Sequence, residues 1–124
     1  MAKDWQDELR RRYPWAARTS FAVGDGWKDL VTETFEKLDA AMKAVPVEEP
    51  DLGFACQDVK EKYATLRIDV VPYVESVEIV CTEAEDRSEV VCDECGRPGV
   101  VRDGGWLTVR CDEHAGGRPP ATSA

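Results

Sequence analysis

The chain has 124 residues, with 25 Asp+Glu against 16 Lys+Arg and a formal net charge of -9. That length excludes a large enzyme fold and allows one domain with at most a small appendage, while the acidity argues against a general binder of the phosphate backbone, which needs a basic face. Hydrophobic residues make up 43%, so the composition is that of a folded domain able to bury about two-thirds of its unfolded surface.

The N-terminal Met1-Ala2-Lys3-Asp4-Trp5-Gln6-Asp7-Glu8 is too charged for a signal peptide, and no apolar run approaches the roughly 20 residues that span a bilayer. A cytoplasmic protein without a membrane partner is expected. Residues 3–12 predict a short helix with Trp5 and Leu9 on one face, ended at Tyr13-Pro14-Trp15 because the residue before a proline is pushed out of the helical region. Arg10, Arg11 and Arg12 would complete that helix with charges that suit its dipole. Residues 27–45 predict the clearest helix. Trp27, Leu30, Val31, Thr34, Phe35, Leu38, Ala41, Met42 and Val45 recur at three- and four-residue spacing, Gly26 precedes them, and Pro46 stops them.

Residues 46–51 read as a polar, proline-punctuated connector. Beyond it, 53–59 and 63–71 predict a β-hairpin turning at Lys60-Glu61-Lys62, with Leu66, Ile68 and Val70 alternating against Thr65, Arg67 and Asp69. Residues 73–91 fit both a strand (Val74, Val77, Ile79, Val80) and a helical stripe (Tyr73, Val77, Val80, Ala84, Val91). Length and the Glu/Ala/Arg content of 82–89 favour the helix. Its exposed face would carry Glu75, Glu78, Glu83, Glu85, Asp86 and Glu89. After His114, the glycine- and proline-rich residues to 124 predict a flexible tail.

Five cysteines, an odd number with uneven spacing, suit metal ligation in a reducing compartment better than a disulfide framework. Cys92-Asp93-Glu94-Cys95 and Cys111-Asp112-Glu113-His114 form C-x2-C-x15-C-x2-H. A two-residue gap lets both side chains of a pair meet one ion, and two such pairs complete a tetrahedron. Between them, 98–102 and 106–110 predict the strands of a hairpin that turns at Asp103-Gly104-Gly105, and Gly96 fits a tight knuckle. Cys92, Cys95, Cys111 and His114 are therefore expected to bind a structural Zn2+. Four protein ligands leave no open position for a catalytic water, and His114 is the only histidine, so a non-enzymatic role follows. Cys56 and Cys81 read as small buried hydrophobes.

Gln57-Asp58-Val59-Lys60-Glu61-Lys62-Tyr63-Ala64-Thr65-Leu66-Arg67, followed by Cys92-Asp93-Glu94-Cys95-Gly96-Arg97-Pro98-Gly99, Gly105-Trp106 and Cys111-Asp112-Glu113-His114, resembles a group of small, uncharacterised zinc-ribbon-like proteins of bacteriophages and bacterial genomes. The resemblance covers about residues 26–115, and Ala64 departs from that group's glycine. It implies the four zinc ligands and a phage or prophage setting, hence the cytoplasm of a host cell, and it implies no activity.

The expected fold class is α+β: N-terminal helices, a β-hairpin and a further helix over 1–91, a C-terminal zinc-ribbon or treble-clef-like hairpin over 92–115, and a tail over 116–124. Charge is polarised along it. Residues 1–46 hold eight basic and eight acidic side chains, whereas 75–94 alone hold eight acids against Arg87. That acidic ridge, beside a rigid hairpin offering Trp106, predicts a protein-interaction module, a phage inhibitor of a host defence or regulatory protein whose basic nucleic-acid-binding surface it would occupy. The alternative is a nucleic-acid-binding zinc ribbon using Arg97, Arg102 and Arg110 with Trp106 for stacking. Asp93, Glu94, Asp103, Asp112 and Glu113 crowd that region and argue against direct nucleic-acid contact.

Overall fold

A computed structural model describes residues 4–46 and 53–121; the expected connector lies, after Pro46, outside them. The elements are α1 (Asp4–Arg12), β1 (Ser20–Ala22), α2 (Lys28–Ala44), β2 (Ala55–Lys62), β3 (Thr65–Val71), α3 (Glu75–Ser88), β4 (Val100–Arg102) and β5 (Thr108–Arg110), with single helical turns at Pro14–Ala16, Asp25–Trp27 and Asp112–His114. The fold is α+β. Among the described residues, no helix is long and apolar enough to cross a membrane.

The first helix ends where the sequence predicts, with Tyr13 in an extended conformation before Pro14. Trp5 and Leu9 are buried, and so is Gln6. Arg10, one of the three terminal arginines, is tied back to Asp7 at 2.7 Å and to the Thr19 carbonyl at 3.0 Å. Along α2 the predicted stripe faces inward: Leu30, Val31, Thr34, Phe35, Leu38 and Met42 are all buried. Trp27, in the turn that opens this helix, is fully enclosed.

Strand order in the main sheet is β1-β2-β3. Parallel pairing joins β1 to β2 with α2 as the crossover, and β2 and β3 form the antiparallel hairpin. The hairpin turn differs from the expectation. β2 continues through Lys62, and the reversal is made by Tyr63 and Ala64, whose φ values of 52° and 65° are both left-handed. Two residues of that kind give the hairpin turn whose twist matches the flanking strands. The turn is braced where Glu61 Oε1 accepts from the Ala64 N–H at 3.0 Å. Register also shifts between Cys56 and Asp58, so Gln57 bulges. Cys56 and Val59 are therefore both buried although three residues apart, while Leu66, Ile68 and Val70 alternate regularly.

Residues 75–88 settle as a helix, α3, burying Val77, Cys81, Ala84 and Ser88 at four-, three- and four-residue steps. The last of these does more than pack. The Ser88 hydroxyl accepts from the Leu66 backbone N–H at 2.9 Å and donates to the Glu85 carbonyl at 2.6 Å. It thereby satisfies an amide on the sheet-edge strand β3. Ser88→Ala should leave that amide buried without a partner and cost about 1–3 kcal/mol in chemical denaturation; an unchanged midpoint would contradict this.

Cys56 and Cys81 lie in the core at 2% and 6% exposure, and burial pushes both thiols up to about 12. The folded chain thus keeps protons that the unfolded chain releases above its ordinary thiol pKa near 9. Their contribution is complete below about pH 9 and is lost as pH rises toward 12. From pH 9 to 11 the wild type should lose stability more steeply than a Cys81→Ala chain, by about 1 kcal/mol per pH unit. Parallel stability profiles would refute that assignment.

Candidate metal centre

The C-terminal site begins with a chain reversal. Val91 pairs with Pro98, the Cys92 N–H donates to the Arg97 carbonyl at 2.8 Å, and the Gly96 N–H donates to the Cys92 carbonyl at 2.9 Å. Gly96 takes φ +81°, a conformation that glycine adopts without steric cost. This knuckle presents Cys92 and Cys95. The β4–β5 hairpin follows, pairing Val100 with Arg110, Val101 with Val109 and Arg102 with Thr108. Immediately after β5 a single helical turn, closed by His114 N–H to Cys111 carbonyl at 3.2 Å, presents Cys111 and His114. A knuckle, a two-stranded hairpin and a single helical turn thus carry the Cys3His cluster, broadly as expected of the C-terminal hairpin.

The four ligand atoms lie within 4.8 Å of one another. Cys95 Sγ is 3.6 Å from Cys111 Sγ, and His114 Nδ1 is 3.9 Å from Cys92 Sγ and 3.2 Å from Cys111 Sγ. In a tetrahedron with a metal–sulfur bond of about 2.3 Å, ligand atoms stand about 3.5–3.8 Å apart, so these separations suit a single tetrahedral ion. The cluster can hold a metal. At Cys111 burial works upward, but hydrogen bonds from the His114 ring and backbone and contacts with Cys95 and Cys92 bring the thiol down to about 6. Cys95 is lowered by the Arg97 backbone N–H, yet burial and its contacts with Cys111 and Cys92 leave it raised overall.

The site is built into the fold through Gly24-Asp25-Gly26-Trp27, where the sequence pattern places Gly26 before the helix and Trp27 on its stripe and gives no sign of contact with the metal hairpin. The Gly26 N–H donates to the Asp93 carbonyl at 3.0 Å, and Trp27 Nε1 donates to the Val91 carbonyl at 2.8 Å. A Cβ on Gly26 would stand 2.2 Å from the Cys92 carbonyl oxygen, and one on Gly24 would stand 2.2 Å from that of Asp93. The knuckle therefore rests directly on the backbone entering α2. The nearest sequence signal is a G-x-G-W run before a helix.

The expected flexible tail is ordered through Ala121. Asp103 N–H donates to the Pro119 carbonyl and Ala121 N–H to the Val101 carbonyl, and Arg102 pairs with Pro120. The Arg102 side chain adds to this. Only 6% exposed, its guanidinium donates to the carbonyls of Arg110 and Arg118 and to Asp112 Oδ1. It thus joins hairpin, tail and the turn carrying Cys111. Arg102→Ala should cost about 2–4 kcal/mol and open Arg118 to trypsin; a tail that stays resistant would contradict the assignment.

The hairpin arginines that the alternative reading needs are engaged. Arg97 meets Glu113 at 3.2 Å, Arg102 is buried, and Arg110 forms ion pairs with Asp93 and with Glu94 at 3.4 Å. Burial raises the Asp93 carboxyl, against the opposing pull of Arg110. Trp106 is 66% exposed, and the Arg118 guanidinium stands 4.2 Å from its ring centroid.

The acidic residues of α3 divide. Glu85 is half-buried and pairs with Arg67 at 2.8 Å, while Arg87 reaches across to Glu33 on α2 at 2.9 Å. Glu75, Glu83, Asp86 and Glu89 are exposed and Glu78 is half-buried; none of these five makes an ion pair among the described residues. Ile79, 51% exposed, lies within a helical turn or two of Glu75, Glu83 and Asp86 on the same face. Comparison with family models, curated proteins and solved structures gave no match.

Proposed function

We propose that this is a non-enzymatic, zinc-stabilised interaction protein that uses the outer face of α3 to occupy a basic surface on a protein partner. The observation that carries the reading is the exposed Ile79 set among Glu75, Glu83 and Asp86. An apolar knob ringed by carboxylates that have no ion-pair partner among the described residues matches a partner with an apolar spot inside a basic field. Zinc is the metal that the three-thiolate, one-imidazole donor set favours. With all four positions filled by protein, its role is to hold the hairpin, which supports a binding role over catalysis.

The resemblance to phage-encoded zinc-ribbon-like proteins supports a more specific reading. The partner would be a host defence or regulatory protein whose nucleic-acid-binding surface is blocked by this chain in the host cytoplasm. Direct binding of nucleic acid is disfavoured by net charge and by the engaged hairpin arginines. Affinity capture from a host lysate at low salt, with the triple variant Glu75→Lys, Glu83→Lys, Asp86→Lys beside the wild type, tests the reading. These three are preferable to Glu85, whose reversal would also set a lysine against Arg67. Wild type should retain a basic nucleic-acid-binding protein and lose it at high salt; equal retention by the variant would refute the α3 face.

A further inference from the structure

Between the β1–α2 connection and the metal hairpin lies a cleft of about 370 Å³, bordered by Glu61, Asp93, Trp106, Thr108 and Arg110. We infer that it is a receptor for a guanidinium group, specifically an arginine side chain of a partner protein. The inference rests on the reading of the chain as a binder of a basic protein and adds a second, distinct contact to it.

Three features select that chemistry. Thr108 is only 5% exposed, and its Oγ1 is buried without a hydrogen-bond partner among the described residues. A buried hydroxyl left in that state is unfavourable, and Thr108 lines the cleft, where an incoming N–H can satisfy it. Glu61 and Asp93 bring two carboxylates against the single cation of Arg110, which already meets both Asp93 and Glu94. Arg110 Nε and Asp93 Oδ1 have no hydrogen bond to any other group, so the pair meets as charges and leaves the cleft acidic on balance. The third feature is Trp106. Its ring accepts the Arg118 guanidinium at 4.2 Å, so a planar cation is a ligand this indole already takes from its own chain.

A guanidinium meets all three demands together: a flat face for the indole, and several rigidly spread donors for a carboxylate and a hydroxyl. A lysine ammonium offers the charge without the plane. A nucleobase offers the plane but meets carboxylates where a positive group would suit its phosphate. The volume also suits one long side chain rather than a folded segment.

Backbone and indole NMR of the metal-loaded chain tests this, using acetyl-Gly-Arg-Gly-amide, acetyl-Gly-Lys-Gly-amide and adenosine monophosphate as probes. The arginine peptide should move the Trp106 indole N–H and the Thr108 amide saturably, and the lysine peptide should bind at least about threefold more weakly. Thr108→Val removes the hydroxyl at nearly constant volume. It should weaken the arginine peptide severalfold while the melting temperature holds or rises. Glu61→Gln should weaken it with the metal content unchanged. Shifts produced by adenosine monophosphate in place of the arginine peptide, or no shifts at these two residues, would overturn the inference. The α3 triple variant separates the two readings. Cleft shifts that persist in it support the cleft whatever the capture experiment shows, and their absence alongside successful capture refutes the cleft alone.

Discussion

A Cys92→Ser chain is expected to lose its metal and, with it, the ordered structure of the C-terminal third. Cys92 is fully buried and opens the knuckle, where its backbone donates to Arg97 and accepts from Gly96. A serine there supplies a poor metal ligand and a buried hydroxyl in place of a thiolate. Structural zinc contributes apparent binding free energies of about 10–16 kcal/mol in small domains, comparable with the whole stability of a domain this size. The melting temperature should therefore fall by roughly 20 °C or more, and elemental analysis should find no stoichiometric zinc. A chelator acting on the wild-type chain should reproduce the effect. Phe35, Leu38, Val59 and Leu66 pack the α2–sheet core from elements that carry none of the four ligands, so far-UV helical signal should fall less than the signal from Trp27, whose indole donates to Val91. A variant that retains one zinc ion per chain and melts with the wild type would refute the structural role.

What the sequence makes legible follows from how far each signal reaches along the chain. The α2 stripe and the alternation of Leu66, Ile68 and Val70 are repeated local patterns, and both face inward as predicted. The four ligands are legible because tetrahedral coordination imposes close pairs, and the structure brings all four together. β1 is not legible: three residues carry no period, and its pairing to β2 is made across the whole of α2. Gln57 hides in the same way, because a bulge breaks the alternation that would reveal the strand. The turn at Tyr63–Ala64 lacks the glycine or asparagine that normally announces left-handed backbone. The tail looked free by composition, since what holds it is backbone pairing with Val101 and Asp103 and a buried arginine donating to the Arg118 carbonyl, interactions with main-chain atoms that leave no pattern in the tail's side chains.

The same limit hid the segment whose alteration should have the second-largest effect. Gly26→Ala adds one methyl group, and no backbone strain enters because Gly26 does not take a positive φ. The cost is steric. The new Cβ would meet the Cys92 carbonyl oxygen at 2.2 Å, the Asp93 carbonyl carbon at 2.5 Å and the Cys95 nitrogen at 2.7 Å. All three are backbone atoms of the knuckle, with no flexible side chain to swing aside. Either the knuckle or the turn opening α2 must move, and Trp27, fully buried beside it, resists movement of the turn. A loss of about 3–5 kcal/mol is expected, at the upper end for overpacking. Gly53→Ala, where nothing lies within 4 Å, should be neutral or slightly stabilising. The informative measurement is metal affinity by competition with a chromophoric chelator. If the knuckle is preorganised by the helix it rests on, displacing it spreads Cys92 and Cys95 from the tetrahedral positions, and affinity should fall at least about tenfold. A hairpin that bound its metal independently of the helical core would keep its affinity in Gly26→Ala while the core alone lost stability, and that outcome would sever the link between α2 and the metal site.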